Sequence, residues 1–319
     1  MEEERDGVRL TNLDTPLFKG ADATKRDLVD YLDAIRGCIL PELEDRPLSV
    51  IRALRGQQPF MQKNLPKYTP PWVRSVSLWA EASKRDVAYA LCDDRKTLLW
   101  FANQRAIEYH PTLVRADRWD RVTHLVMDLD PPEGESFAVV VEAAQLVRQA
   151  LRDSGLDGAV KTSGAKGAHI FIPIDEEVTM EDAAAATRAI AARAERIDPD
   201  LATTAYVKAD RGGKVFLDST RSGGATVVAA YSPRVRPGTP VSYPVGWDDL
   251  AQSTPADFTV HTVPGLVGDR NLWADQLPAP QQLADDLVEE GHEIPVARVQ
   301  AMHEGKRRAR ARRKGEEPS

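Results

Sequence analysis

Apolar residues recur every three to four positions over residues 24–36, TKRDLVDYLDAIR, where Leu28, Tyr31, Leu32 and Ile35 share one face. That spacing predicts a helix beginning near Thr24. RPLSVIRAL then reads as a strand and QPFMQKNLPKYTPPW as a proline-broken, largely extended segment. Short strands follow near 75–79, 87–91 and 97–101, with a compact turn or short helix around NQRAIEYHP. The pattern then changes. A strand, THLVMDLD, precedes a long helix, SFAVVVEAAQLVRQALRDSG; the next strand ends at KTSGAKGAH and resumes in HIFIPI. An alanine-rich helix over about 180–194 leads to strands in GKVFLD and ATVVAAY. This alternation predicts a sheet with helices on one side, and the active centre belongs there. Prolines and glycines from about residue 233, in SPRVRPGTPVSYPVGWDDL, exclude regular structure and predict a wrap over the core, with one more short helix within 280–300.

Composition narrows the class. The chain has 319 residues, 42% of them hydrophobic, enough for one large domain or two intimate lobes. Cys38 and Cys92 are the only cysteines and have no metal-ligand spacing, which fits a reducing compartment and argues against a disulfide framework or zinc site. The acidic start MEEERDGVRL has no apolar signal region, and no run of about 18 apolar residues occurs, so secretion and membrane spanning are disfavoured. The net charge of −7 hides an asymmetry: KRRARARRK, residues 306–314, holds 7 of the 42 Lys and Arg. Residues 1–305 therefore carry 35 basic against 47 acidic side chains, a net of −12. Such a basic block reads as disordered; it suits a phosphate backbone and equally serves to solubilise the chain end.

The chemistry concentrates at strand ends. In LVMDLD, Asp128 and Asp130 point to one side of the strand while Leu129 points to the other, and Pro131 and Pro132 follow directly. Two such carboxylates repel unless a cation lies between them. A lone pair of this spacing also fits a solvated turn, but Asp218 ends another apolar strand, KVFLD, and would join them if the strands are neighbours. Three hard oxygen ligands suit magnesium or manganese, and two ions about 3.5–4 Å apart would hold the attacking and leaving oxygens of a phosphoryl transfer. TSGAKGAH offers a phosphate cradle in which Gly164 and Gly167 turn N–H groups toward an anion, Ser163 donates a hydroxyl, and Lys166 and His169 donate or add charge. It also fits a plain hairpin turn, and it lacks P-loop spacing. Arg211 and Arg234 flank Asp218 and suit triphosphate oxygens, and His110 is a candidate contact to a sugar or phosphate.

The series LTNLDTPLF, TKRDLVDY, RPLSVIR, FMQK, WFANQRAIEYHP, VMDLDPP, TSGAKGAHIFIPI, GKVFLD and AAYSPRVRPGTPVSYPVGWDDL runs in order from about residue 10 to 265. It resembles the archaeo-eukaryotic primase superfamily, specifically the polymerase domain of bacterial DNA ligase D and its free-standing mycobacterial and other actinobacterial relatives. The resemblance implies an α+β primase-polymerase fold: an RRM-like catalytic sheet flanked by helices, with an intimately packed N-terminal α/β lobe. Residues 1–120 would form that lobe and make template and DNA-end contacts, 121–300 the catalytic core with its C-terminal wrap, and 301–319 the basic tail. It implies a two-metal, template-dependent nucleotidyltransferase that adds NTPs or dNTPs to a primer 3′-hydroxyl, using Mn2+ or Mg2+. Asp128 and Asp130 would bridge both ions and Asp218 complete the ion that activates the hydroxyl. Ser163, Lys166, His169, Arg211 and Arg234 would contact the nucleotide phosphates, and His110 would hold the ribose or phosphates.

The departures bear on DNA binding. Relatives usually have a lysine where Thr15 stands, paired with one matching Lys25 to grip a downstream 5′-phosphate, so that grip should be weaker or rebuilt from nearby bases. Phe60 is followed by Met61 where two aromatics often pack on template bases, and Lys63 adds charge beside them. The lack of a Lys-x-Asp-Gly nucleophile and the length filled by the polymerase match predict a chain without its own ligase or phosphoesterase domain, and a monomer is the expected state, though nothing in the residues sets it. It would work in the bacterial cytoplasm at the nucleoid, on DNA gaps, overhangs and primer-template ends, with a separate DNA ligase and a DNA-end-binding protein as partners by analogy. Gap filling or end extension in repair, such as end joining or base excision repair, leads; de novo priming is the alternative. A haloacid dehalogenase-like phosphatase fits poorly, because it leaves TSGAKGAH and the arginines without a role, and a non-catalytic DNA-binding module does not explain three intact aspartates.

Overall fold

The computed structural model of the chain describes residues 2–80, 84–268 and 270–296. The tail expected over 301–319 lies outside the described residues. A hairpin of β1 (Glu3–Arg5) and β2 (Val8–Leu10) leads into α1 (Lys25–Ala34) and α2 (Arg36–Leu43). Next come β3 (Leu48–Arg52), β4 (Phe60–Gln62), β5 (Ser75–Ala80), β6 (Arg85–Ala90), α3 (Arg95–Asn103) and β7 (Ala106–Pro111). These strands form one sheet with β3 as its hub, pairing antiparallel with β4, β6 and β7. A second hairpin, β8 (Val114–Arg115) and β9 (Arg118–Val122), connects to the other sheet.

That second sheet contains β10 (His124–Asp130), β11 (Ala159–Thr162), β12 (Ala168–Pro173), β13 (Ala202–Thr203) and β14 (Val215–Asp218), in the order β11, β12, β10, β14, β13. The long helices α4 (Phe137–Asp153) and α5 (Met180–Ile197) pack on each other and on β10, which matches the expected sheet with helices on one side. Short helices α6 (Val263–Val267) and α7 (Leu272–Gln276) follow the irregular wrap, and α8 (Asp285–Glu293) lies along α5.

Local chemistry explains the boundaries. Helix α1 starts where Thr24 Oγ1 accepts from Asp27 N at 3.3 Å and Thr24 N donates to Asp27 Oδ2 at 2.6 Å, a reciprocal cap that satisfies two otherwise orphaned donors. Thr179 Oγ1 caps α5 through Asp182 N at 3.0 Å. Strand β10 stops at Asp130 because Pro131 and Pro132 offer no N–H to a ladder.

Three stretches differ from the sequence pattern. Residues 97–101, expected as a strand, lie in α3: Asp94 accepts from Thr97 N at 2.7 Å and caps a helix whose residues Leu98 to Ala102 are all buried. A fully apolar run has no period to distinguish the two structures, and the cap decided it. NQRAIEYHP, expected as a turn or short helix, contributes β7, which pairs with β3 from Leu48↔Pro111 to Arg52↔Ala106. ATVVAAY joins no regular strand and ends in a turn at Tyr231, whose φ is +65°; Val227 N and Ala229 N donate to Pro111 O and Tyr109 O, binding it to β7 in the N-terminal half.

The boundary near residue 120 does not separate two cores. One buried apolar cluster runs from Val8 to Leu287. The halves are tied by Tyr31 Oη donating to Tyr231 O at 2.7 Å, Tyr109 N to Ser232 Oγ at 2.9 Å, and Trp273 Nε1 to Glu42 Oε2 at 2.9 Å. Gly291 shows how closely α8 approaches α5: a Cβ there would lie 2.0 Å from Ala185 O. Gly291→Ala should therefore force the helices apart and destabilise the fold by about 1 to 3 kcal/mol, read as a lower denaturant midpoint.

Candidate nucleotidyl-transfer site

The site is built from the register of the second sheet. Asp128 on β10 pairs directly with Asp218 on β14 and with His169 on β12, and His169 pairs with Lys161 on β11. Directly opposed residues of antiparallel strands point to the same face. Lys161, His169, Asp128 and Asp218 thus form one row across four strands, and Asp130 extends it toward the exposed strand end. The sequence condition that β10 and β14 be neighbours is met.

All four members of this row are buried, and each is held by specific partners. Lys161 Nζ bonds to His169 Nδ1 at 2.9 Å and Ser242 Oγ at 2.5 Å, while His169 Nε2 lies 3.2 Å from Asp128 Oδ1. Burial, reinforced by Lys161, pushes the His169 pKa down to about 4, so near neutral pH the imidazole acts on Asp128 as an N–H donor and not as a cation. The charge comes from Arg221, whose Nε and Nη2 donate to Asp128 Oδ2 at 3.1 and 2.9 Å. Burial alone would raise the Asp128 pKa; these partners outweigh it and hold the carboxyl well below the usual range. Asp130 behaves oppositely. Burial, then the charges of Asp128 and Asp218, raise it to about 6. A divalent ion relieves this mutual repulsion, so the donor set fits a hard cation.

Asp128 and Asp130 line a cleft of about 580 Å³ together with Ser163, Lys166, His169, Arg211 and Arg234. Seven of the sequence candidates therefore meet, and Asp218 lies beside Asp128 in the same row. The loop between β11 and β12 is closed on itself more than an open cradle would be: Ser163 Oγ accepts from Ala165 N and Gly167 N, each at 3.2 Å. Those two N–H groups point inward, leaving the Ser163 hydroxyl and the exposed Lys166 for a ligand. Gly164 is required there by its φ of +65° and Gly167 by closeness, since a Cβ at 167 would lie 2.0 Å from Leu129 O. Arg211 stacks 3.7 Å over the Phe216 ring and donates to the carbonyls of Ala205 and Tyr206.

Arg234 is fixed from the N-terminal half. It donates to Ser163 O, and its Nε lies 3.1 Å from Glu108 Oε2 as an ion pair without hydrogen-bond alignment. The same Glu108 oxygen is 2.9 Å from His110 Nε2, so His110 reaches the site through Glu108 and does not line the cleft. Burial lowers the His110 pKa, with Glu108 opposing. Lys25, Phe60, Met61 and Lys63 lie away from the cleft, in the N-terminal half. Lys25 is 3% exposed, and its ammonium is committed to Thr11 O and Asn103 Oδ1, each at 2.6 Å. A phosphate contact from Lys25 would require those bonds to be exchanged. Phe60 and Met61 are exposed on the short strand β4, with Lys63 exposed just beyond it.

Arg221, Lys161, Glu108, Lys208 and Arg236 are site residues that sequence reasoning passed over. The i,i+3 spacing of Arg221 from Asp218 was a visible signal, as was the position of Lys161 on the same side of its strand as Ser163. Glu108 left none, because its partner Arg234 is 126 residues away in the chain.

Comparison with known proteins identifies the family. Residues 24–273 match the family described as LigD, primase-polymerase domain. The chain is 33% identical over 254 residues to the multifunctional non-homologous end joining protein LigD of Mycolicibacterium smegmatis, covering 78% of this chain and 33% of the relative. It is 33% identical over 261 residues to the bifunctional LigD of Bacillus subtilis, covering 80% and 42%. Against the LigD of Mycobacterium tuberculosis it is 34% identical over 297 residues, covering 88% and 38%. The chain thus spans about a third to two fifths of the length of these relatives. The solved polymerase domain of Mycobacterium tuberculosis Ligase D in complex with DNA superposes with a TM-score of 0.76 at 32% identity, covering 86% of this chain and all of that one. The chain belongs to the LigD primase-polymerase family.

Proposed function

We propose that this chain extends a DNA primer 3′-hydroxyl opposite a template strand, filling gaps or extending ends in DNA repair. The observation that carries the reading is the juxtaposition of Asp128, Asp130 and Asp218 with a cleft lined by Lys166, Lys208, Arg211, Arg221, Arg234 and Arg236. Carboxylates beside guanidinium and ammonium groups in one cleft suit a substrate that carries both a divalent cation and a polyphosphate.

Asp128, Asp130 and Asp218 would hold two ions, Mn2+ or Mg2+, which supply charge neutralisation and a more acidic 3′-hydroxyl when bound. Lys166, Arg211 and Arg234 would bind the triphosphate, and the rigid hold on Arg211 and Arg234 orients it before reaction. His169 keeps Asp128 ionised and aimed by donating Nε2–H to it. The 3′-oxygen then forms a bond to the α-phosphorus as the bond to pyrophosphate breaks; the hydroxyl proton leaves to solvent, and the cationic wall stabilises the departing pyrophosphate. Phe60 and Met61, exposed on β4 in the N-terminal half, would meet template bases. The relatives are named as non-homologous end joining proteins, which supports end joining as the repair setting; by family analogy a DNA ligase and an end-binding protein would act alongside. Among the described residues no helix is long and apolar enough to cross a membrane.

Incorporation should be measured on a gapped duplex with a downstream 5′-phosphate, on the same gap without it, and on an unprimed template. Extension confined to the primed substrates supports gap filling; product on the unprimed strand would replace it with priming. Asp128→Ala, Asp130→Ala and Asp218→Ala should each lower the extension rate by about a thousandfold or more while leaving DNA affinity within about threefold. Wild-type rates in any of these would remove that residue from the metal site. Because Asp130 is raised to about 6, it takes up a proton below that pH, and an incoming ion must displace it. Mn2+ affinity should therefore fall by about tenfold per pH unit below 6 and level off above it, as read by calorimetry.

A further inference from the structure

Arg221 sits three residues after Asp218 in the turn that follows β14, and its bonding differs from that of the other cleft arginines. Arg211 is stacked on a ring, and Arg234 is tied to a carbonyl and to Glu108. Among the described residues, the direct side-chain partners of Arg221 are two carboxylates that metal binding would need: Nε and Nη2 donate to Asp128 Oδ2, and Nη2 lies 3.3 Å from Asp218 Oδ2. The remaining oxygens are also engaged. Asp128 Oδ1 faces His169 Nε2, and Asp218 Oδ1 accepts from Thr220 N at 2.9 Å and Thr220 Oγ1 at 2.6 Å.

We infer that Arg221 is a built-in counter-ion that competes with the divalent cation for Asp128 Oδ2 and Asp218 Oδ2 and transfers to the polyphosphate of the incoming nucleotide, so that metal and nucleotide load together. This rests on the proposed function, because it takes Asp128 and Asp218 as metal ligands. A guanidinium sharing a carboxylate oxygen with a dication stands about 4 Å from it, where like charges repel strongly in a partly buried site. Its side chain is 35% exposed and faces the same cleft as Lys166, Arg211 and Arg236, so phosphate oxygens are within the space it borders. Phosphate offers the guanidinium fork the same paired acceptors as a carboxylate. The exchange trades Arg-carboxylate for Arg-phosphate contacts and frees the carboxylates for the ion. By linkage, a nucleotide that removes Arg221 from the carboxylates must raise metal affinity, and the metal must raise nucleotide affinity by the same factor.

The test is Mn2+ binding to the full chain, by calorimetry, without nucleotide and with a non-hydrolysable α,β-imido nucleoside triphosphate, corrected for Mn2+ held by the free analogue. Without nucleotide, Arg221→Gln should bind Mn2+ about tenfold more tightly than wild type, and Arg221→Lys, which keeps the charge, within about threefold of wild type. The analogue should strengthen Mn2+ binding by a larger factor in wild type than in Arg221→Gln. Equal or weaker Mn2+ binding by a folded Arg221→Gln protein overturns the inference alone. Should that variant not fold, the wild type still decides: Mn2+ affinity unchanged by the analogue overturns the inference. Mn2+ that binds to neither protein overturns the metal reading and the inference with it.

Discussion

Two buried carboxylates, Asp128 and Asp218, face each other across neighbouring antiparallel strands, and their repulsion is the constraint around which the surrounding side chains are arranged. Leaving both ionised and unpaired in a buried position would be costly. The fold answers with a neutral imidazole donor on one side, a guanidinium on the other, and a hydroxyl and backbone N–H from Thr220 at the far oxygen. The repulsion that remains falls on Asp130, which ionises less readily than a free aspartate. An arrangement in which protein groups balance most of the negative charge, and leave some unbalanced, is one that a dication can enter.

The row continues away from the carboxylates through His169 to Lys161. Lys161 is wholly buried, and burial, then the nearby Arg234, pull it well below the ordinary lysine range. Its hold on Ser242 ties the row to the irregular segment after residue 233, and Ser242 in turn donates to Thr162 O at 2.8 Å. The wrap that sequence composition marked as irregular is therefore a structural wall of the site. Its regular backbone partners are few, but Tyr243 O, Val241 N and Ser242 N all find acceptors or donors in neighbouring segments.

The N-terminal half contributes through Glu108. Its carboxylate accepts from Val235 N at 2.8 Å and holds both His110 and Arg234, and those partners overcome its burial to keep it ionised. One strand of the first sheet thus sets the position of an arginine in the cleft of the second. A chain whose two sheets share a core and a charge network in this way behaves as one unit, whatever contacts each half makes with nucleic acid.

The sequence by itself determined the order of most elements, the placement of three aspartates at strand ends, and the glycine-bearing loop that would sit beside them. Those features are local: alternation, caps and prolines act over a few residues, so the residues state them directly. The family was legible for the same reason, as an ordered series of short motifs. Only the tertiary structure decided that β14 lies beside β10 in the register that opposes Asp128 to Asp218, that Lys161 joins the row, and that Glu108 reaches Arg234. Strand pairing and salt bridges across scores of residues depend on how whole elements pack, which no local pattern encodes. The same reason explains α3 and β7: an apolar run fits a buried helix or a buried strand, and capping by Asp94 and pairing with β3 chose between them. It also explains Lys25, a charged residue that the sequence presents as a surface grip and the packing of its lobe encloses.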